Sequence, residues 1–216
     1  MRPVVKLCGQ TDAGDAAMCA RYGADVLGFV VYPEPVPWNL EPAQAARLVA
    51  ATRDVAKTCL VTAGDVDAIC RLARATRPDY VQLHGRESVD ETAAIVDALA
   101  GTGIGVIKAV FPDAADPEGD ARAFCHAGVA ALVADTRMPG DAATGGAADV
   151  GLYRRLVAAS DRPVFLAGGV APGNAAGLVQ ATGARYLDVL SGVEREPRRK
   201  DEGLVATLFA TLAGAE

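Results

Sequence analysis

Short apolar runs bounded by glycine, proline or aspartate recur roughly every 20 to 30 residues, each followed by a longer stretch whose apolar positions return with helical spacing. The runs predict strands over Val4–Leu7, Val26–Val31, Ala56–Val61, Tyr80–Leu83, Gly105–Ala109, Ala131–Ala134, Val164–Leu166 and Tyr186–Val189. The stretches between and after them predict helices over Asp12–Tyr22, Pro42–Ala51, Asp65–Thr76, Ser88–Leu99, Glu118–Ala127, Val150–Ala158, Asn174–Ala181 and Asp201–Leu212. Several open on Asp, Ser or Asn, whose side chains accept from the free amides of a first helical turn. Several close on a glycine that tolerates a left-handed cap, as at Gly23, Gly101, Gly128 and Gly183.

Strands joined by helical crossovers run parallel, and right-handed crossovers curl them into a closed barrel or an open doubly wound sheet. The strand count favours a single α/β (β/α)₈ TIM barrel spanning residues 1–216 as one domain. An open sheet of the dinucleotide-binding kind calls for GxGxxG after its first strand, and Cys8-Gly9-Gln10-Thr11 stands there instead.

Composition supports the barrel and narrows its chemistry. The chain is 51% hydrophobic and only 5% aromatic, as expected of an Ala/Val/Leu core between two buried sheet faces. Its net charge of −6 argues against a nucleic-acid surface, which needs a basic stripe. The one basic cluster, Arg195, Arg198, Arg199 and Lys200, reads either as a solvated turn or as an anion-facing patch. The 5 cysteines show neither disulfide nor metal-ligand spacing, so no metal is expected. With no signal-peptide pattern and no apolar segment of the roughly 20 residues a span needs, a cytoplasmic protein without membrane contact is expected.

In such a barrel, chemistry sits just after the strands. Cys8 follows the first and can act as base or nucleophile, or be a small buried hydrophobe. His84 follows the fourth in Val81-Gln82-Leu83-His84-Gly85 and can bond a sugar hydroxyl, tune a neighbour, or satisfy backbone. His126, late in a helix, reads as structural. Asp135 follows the sixth, where apolar walls suit a general acid, unless it pairs with Arg137 or Lys108. Lys108 follows an apolar run and suggests either a Schiff-base lysine or a carboxylate's partner. The last two strands end in Leu166-Ala167-Gly168-Gly169 and Asp188-Val189-Leu190-Ser191-Gly192, loops suited to a phosphate because glycine bares backbone amides.

Taken in order, Lys6-Leu7-Cys8-Gly9, Gly28-Phe29-Val30, Val81-Gln82-Leu83-His84-Gly85, Asp135-Thr136, Leu166-Ala167-Gly168-Gly169 and Asp188-Val189-Leu190-Ser191-Gly192-Val193-Glu194 resemble the phosphoribosylanthranilate isomerase family. The resemblance spans nearly the whole chain. It implies a cofactor-free Amadori rearrangement of N-(5′-phosphoribosyl)anthranilate in tryptophan biosynthesis, with Asp135 as acid and Cys8 as base. A phosphorylated aminosugar substrate is expected, with Lys6, Gln82, His84, Lys108 and Trp38 as candidate substrate-binding residues and Gly145, Gly168, Gly169, Ser191 and Gly192 as candidates for its phosphate. A monomer or homodimer is expected.

The chain departs from the family pattern at several loops. The arginine that pairs with the anthranilate carboxylate is replaced by Pro37, and a GGTG-like loop by Ala142-Ala143-Thr144-Gly145, although Gly145-Gly146 offers a shifted register. Leu190 stands for a serine, Thr62 near an asparagine, Val150 for a tryptophan and Arg198 near a glycine. These changes gather at ligand loops. They leave open a different amine, for which Trp38 offers a stacking surface unless it packs its loop against the rim, or reduced activity. Two further alternatives are a phosphosugar-binding barrel without turnover and a lyase using Lys108.

Overall fold

A computed structural model describes residues 2–136 and 147–214. Eight parallel strands close into a barrel in sequence order: β1 (Val4–Leu7), β2 (Val26–Val30), β3 (Lys57–Thr62), β4 (Tyr80–Leu83), β5 (Gly105–Val110), β6 (Ala131–Ala134), β7 (Val164–Leu166) and β8 (Tyr186–Val189). Closure is carried by β1 against β8, in the register Val4↔Tyr186 to Leu7↔Val189. Between and after the strands run α1 (Ala13–Tyr22), α2 (Pro42–Thr52), α3 (Val66–Thr76), α4 (Val89–Leu99), α5 (Pro117–His126), α6 (Val150–Ala159), α7 (Ala175–Thr182) and α8 (Glu202–Ala213). No described helix is long and apolar enough to cross a membrane.

The helix starts follow from short acceptor side chains. Asp12 accepts from the Gly14 and Asp15 amides at 2.8 and 3.1 Å, Asp65 from Ala68, Asp149 from Leu152 and Asp201 from Leu204. Ser88 and Glu91 form a reciprocal capping box at α4. Gly23 and Gly183 end α1 and α7 in the left-handed conformation. Boundaries differ from expectation by a residue or so: β3 lies one position later, and α5 starts at Pro117, capped by Asp116 through the Gly119 amide. Proline suits that first turn because its missing N–H has no helical partner there.

Alternation along the strands sorts side chains into two layers. Leu27, Leu60, Leu83 and Leu132 face the helices with no exposure, each contributing about 1.5–3 kcal/mol of burial. Val26, Val61, Ile107, Val133 and Phe165 fill the barrel interior. The same parity points Lys6 and Cys8 of the first strand inward, with Gln82 and His84, Asp135, and Asp188. The interior is therefore apolar at its base and polar toward the mouth.

One element was not expected. After a 3-10 turn at Ser191–Val193, β9 (Glu194–Glu196) and β10 (Arg199–Lys200) form an antiparallel hairpin before α8. The basic cluster belongs to this hairpin: Arg195 pairs with Asp201, Arg199 with Asp15, and Lys200 with Glu194.

Candidate active site

Lys6 and Asp188 meet inside the barrel at 2.6 Å, with side-chain exposures of 0% and 8%. Burial, the largest single influence, pulls the Lys6 ammonium down, but the charge and hydrogen bond of Asp188 together with Cys8 and Cys59 outweigh it and hold the ammonium above its ordinary range. Cys8 lies one inward position further along the first strand, 5% exposed. Burial pushes its thiol up, the positive charge of Lys6 pulls it back, and Asp188 adds to the rise. Lys6 is thus the chief group favouring a thiolate at Cys8. The other carboxylate oxygen of Asp188, Oδ1, is buried and bonds to nothing among the described residues, leaving an acceptor for a ligand hydroxyl.

A second chain of contacts crosses the interior from β3 to the end of β6. The Cys59 thiol donates to Gln82 Oε1 at 3.9 Å, which turns the Gln82 amide nitrogen toward His84 Nδ1 at 2.9 Å. That nitrogen can only donate, so Nδ1 accepts and the imidazole carries its proton on Nε2. Nε2 lies 3.7 Å from Asp135 Oδ2. The His84 ring meets Phe111 edge to face at 5.3 Å between centroids. Burial first, then the charge of Lys6, push the imidazole down to about 4, against an opposing pull from Asp188. His84 is therefore neutral near pH 7.

This gives a checkable pH dependence. In the unfolded chain His84 binds a proton near its ordinary 6.5, whereas the fold delays binding to about 4. Between those values the unfolded state holds more protons, so this group's contribution to stability falls as pH drops through that window. Urea titrations should show wild-type stability declining from pH 6.5 toward 4 more steeply than His84→Gln. Equal slopes would contradict a neutral buried His84.

Lys108 is not where the sequence reading put it. On β5 the inward residues are Ile107 and Ala109, so Lys108 points out between barrel and helices, above the Phe124 ring of α5. Its ammonium lies 2.9 Å from Gly85 O, 3.1 Å from Ala109 O and 3.1 Å from Glu87 Oε2. With its donors directed to Glu87 and two carbonyls and its side chain 2% exposed, Lys108 fits the reading of a carboxylate's partner rather than that of a Schiff-base lysine. It staples the strand-four loop to β5.

Trp38 sits at the mouth. A Cβ on Gly9 would come within 2.8 Å of its Cδ1, so the ring covers the Cys8-Gly9 turn. Its indole N–H donates to both Glu194 oxygens at 3.0 Å, and Glu194 is held in turn by Lys200 at 2.7 Å. Trp38, half-buried, is thus held against the Cys8-Gly9 turn at the mouth.

The glycines of the last two loops have specific work. Gly168 and Gly169 both adopt positive φ, 83° and 65°. The Gly169 carbonyl accepts from Asn174 Nδ2 at 2.8 Å, so in a trans peptide the Val170 N–H points the opposite way. A Cβ on Gly192 would overlap the Val170 carbonyl oxygen, so only glycine lets the Ser191-Gly192 loop close on the β7–α7 loop. The two loops lie together near the start of α7. Gly145 lies outside the described residues.

The arrangement combines a thiol biased by an ammonium, a carboxylate beside a neutral imidazole, and glycine loops near a helix start. Among the described residues no group of three or more His, Cys, Asp or Glu could hold a metal ion. Sequence reasoning missed Asp188 as a site residue. Its signal was alternation: Tyr186, Asp188 and Leu190 share the inward face, and an inward Lys6 needs a buried partner. Glu194 gave no such signal, because its roles depend on the hairpin.

Comparison with known proteins agrees with this geometry. The family model described as N-(5′-phosphoribosyl)anthranilate (PRA) isomerase matches residues 5–211. An N-(5′-phosphoribosyl)anthranilate isomerase of Caulobacter sp. is 40% identical, covering 94% of this chain and 95% of that protein. The crystal structure of phosphoribosyl anthranilate isomerase from Thermus thermophilus superposes with a TM-score of 0.82 at 32% identity, over 99% of this chain and 100% of the other. A phosphoribosyl anthranilate isomerase in complex with reduced 1-(o-carboxyphenylamino)-1-deoxyribulose 5-phosphate gives a TM-score of 0.80 at 26% identity, over 98% and 99%.

Proposed function

Because the chain belongs to the N-(5′-phosphoribosyl)anthranilate isomerase family, we propose that it converts N-(5′-phosphoribosyl)anthranilate into 1-(2-carboxyphenylamino)-1-deoxyribulose 5-phosphate in tryptophan biosynthesis, with Asp135 as acid and Cys8 as base. The observation that carries the reading is the inward placement of both groups at one mouth, Cys8 beside Lys6 and Asp135 beside His84.

Asp135 protonates the ring oxygen as the bond from that oxygen to C1 breaks, and the amine lone pair forms the C1–nitrogen double bond. Cys8 then takes the C2 proton, and the electrons of that C–H bond pass to nitrogen through a C1–C2 double bond, giving an enolamine. Tautomerisation moves the hydroxyl proton of C2 to C1 and leaves the ketone. Cys8 then releases its proton and Asp135 regains one through solvent, so protons and electrons balance without a redox partner.

Neutral His84 favours delivery of the Asp135 proton, since an imidazolium would hold that group as carboxylate. Asp188 Oδ1 accepts from a sugar hydroxyl, and the amides around Gly168, Gly169, Ser191 and Gly192 take the phosphate. The five unpaired cysteines suit a reducing cytoplasm, and the protein works as a monomer or homodimer.

Mixing purified protein with N-(5′-phosphoribosyl)anthranilate and following its fluorescence tests the reading: steady consumption is expected. No consumption, with a phosphosugar analogue still bound, would overturn it in favour of another amine, the reading that Pro37 supports.

A further inference from the structure

The proposed reaction places the amine's aryl group close to Cys8. The proton Cys8 removes is on C2, the amine is bonded to the adjacent C1, and an ortho carboxylate extends a few bonds beyond. The carboxylate must therefore lie at the rim formed by the loops flanking Cys8, those after the first, second and eighth strands. At the position in the second of these loops where the family pattern supplies an arginine, this chain has Pro37.

A guanidinium nevertheless reaches this rim from another loop. Arg198, at the tip of the β9–β10 hairpin, donates from Nη1 to the Pro37 carbonyl at 2.8 Å and lies 3.5 Å from the Asn39 carbonyl. Its own carbonyl accepts from Thr11 Oγ1 of the β1–α1 loop at 2.9 Å. One residue thus ties all three rim loops together. Pro37 and Asn39 flank Trp38, whose ring covers the Cys8-Gly9 turn, so the guanidinium stands on the side of the mouth where the aryl group must lie.

The charges around it single Arg198 out. Arg195, Arg199 and Lys200 are each matched to a carboxylate, Asp201, Asp15 and Glu194. Among the described residues Arg198 alone of this run has no carboxylate partner, and its recorded contacts are with neutral carbonyls through one nitrogen. Its side chain is exposed and its φ is 76°, a conformation that glycine adopts freely and arginine does not.

We propose that Arg198 is the specificity residue that pairs with the carboxylate of the aryl amine, replacing from the eighth-strand loop the cation missing at Pro37. The proposal rests on the isomerase reading above. The carbonyl contacts fix Nη1 and leave Nη2 and Nε to meet the carboxylate, in the side-on geometry that guanidinium and carboxylate favour. Trp38 packs the ring while Arg198 holds its substituent.

The test compares two substrates, N-(5′-phosphoribosyl)anthranilate and its counterpart made from aniline, which lacks the carboxylate, in wild type, Arg198→Gln and Arg198→Gly. The glycine variant relieves the backbone conformation, so a folding defect cannot mimic the result. Both variants should lose about ten- to a hundredfold in kcat/KM on the carboxylated substrate, mostly through KM, while the aniline substrate changes by less than about threefold. Equal losses on both substrates, or none on either, would overturn the proposal. Wild-type inactivity on both would refute the isomerase reading instead. The proposal is then decided by calorimetry with reduced 1-(o-carboxyphenylamino)-1-deoxyribulose 5-phosphate and its decarboxylated form: a wild-type preference abolished in both variants supports it, and no preference sinks it.

Discussion

Cys8→Ser and Asp135→Asn are each expected to lower kcat by about 10²–10⁴-fold with N-(5′-phosphoribosyl)anthranilate, while binding of a phosphorylated product analogue survives. Serine keeps the size of the thiol but is a far weaker acid, so the same Lys6 charge that draws Cys8 toward thiolate cannot produce an alkoxide near pH 7. Asparagine keeps the shape of Asp135 but has no proton to deliver to a ring oxygen. The two steps occur in sequence, so the double variant should be little worse than the poorer single one. Circular dichroism controls for folding, since Asp135 is 9% exposed and Cys8 5%. Either single variant within tenfold of wild type would remove that residue from the mechanism.

The fold was legible because each strand is announced by an apolar run and most of the helices that follow by a capping side chain. Asp12, Asp65, Ser88, Asp149 and Asp201 mark helix starts in the sequence and accept first-turn amides in the structure. The hairpin at β9–β10 was illegible for the opposite reason. Its strands are three and two residues of charged side chains, held by ion pairs to Asp15 and Asp201 and by the buried Lys200–Glu194 pair. No periodicity forms over so short a span, and partners up to 185 positions away leave no local trace.

The candidate site residues divide the same way. Cys8, His84 and Asp135 could be read because a barrel places its chemistry after strands, and alternation confirms their inward direction. Lys108 misled because it shares that location along the chain but has the wrong parity: one residue to either side, Ile107 and Ala109, face the interior. Asp188 and Arg198 depend on distant loops meeting, Asp188 through the Lys6 ammonium across the barrel seam and Arg198 through the Pro37 carbonyl. A sequence read locally records the residue types but not these encounters.

Replacing Lys6 by methionine is the second large effect, and it reaches both stability and rate. Removing one member of a buried ion pair leaves the other charged and unsolvated, which costs about 3–5 kcal/mol. Lys6 has no exposure and its 2.6 Å bond is the only one that either Asp188 carboxylate oxygen makes among the described residues, so Lys6→Met should lower Tm by roughly 10 °C or more. Lys6→Met combined with Asp188→Leu removes both charges and should recover much of that loss, which separates the unpaired carboxylate from the change in packing. Its effect on rate follows from Cys8. Without the ammonium nothing of comparable size offsets burial at the thiol, so its ionisation moves to higher pH. Since the proposed base is the thiolate, the acidic limb of the kcat profile should shift upward in Lys6→Met, and activity at pH 7 should fall even in the fraction that remains folded. A Lys6→Met enzyme as stable as wild type, with an unmoved acidic limb, would mean that the pair neither supports the barrel nor prepares Cys8 to take the proton.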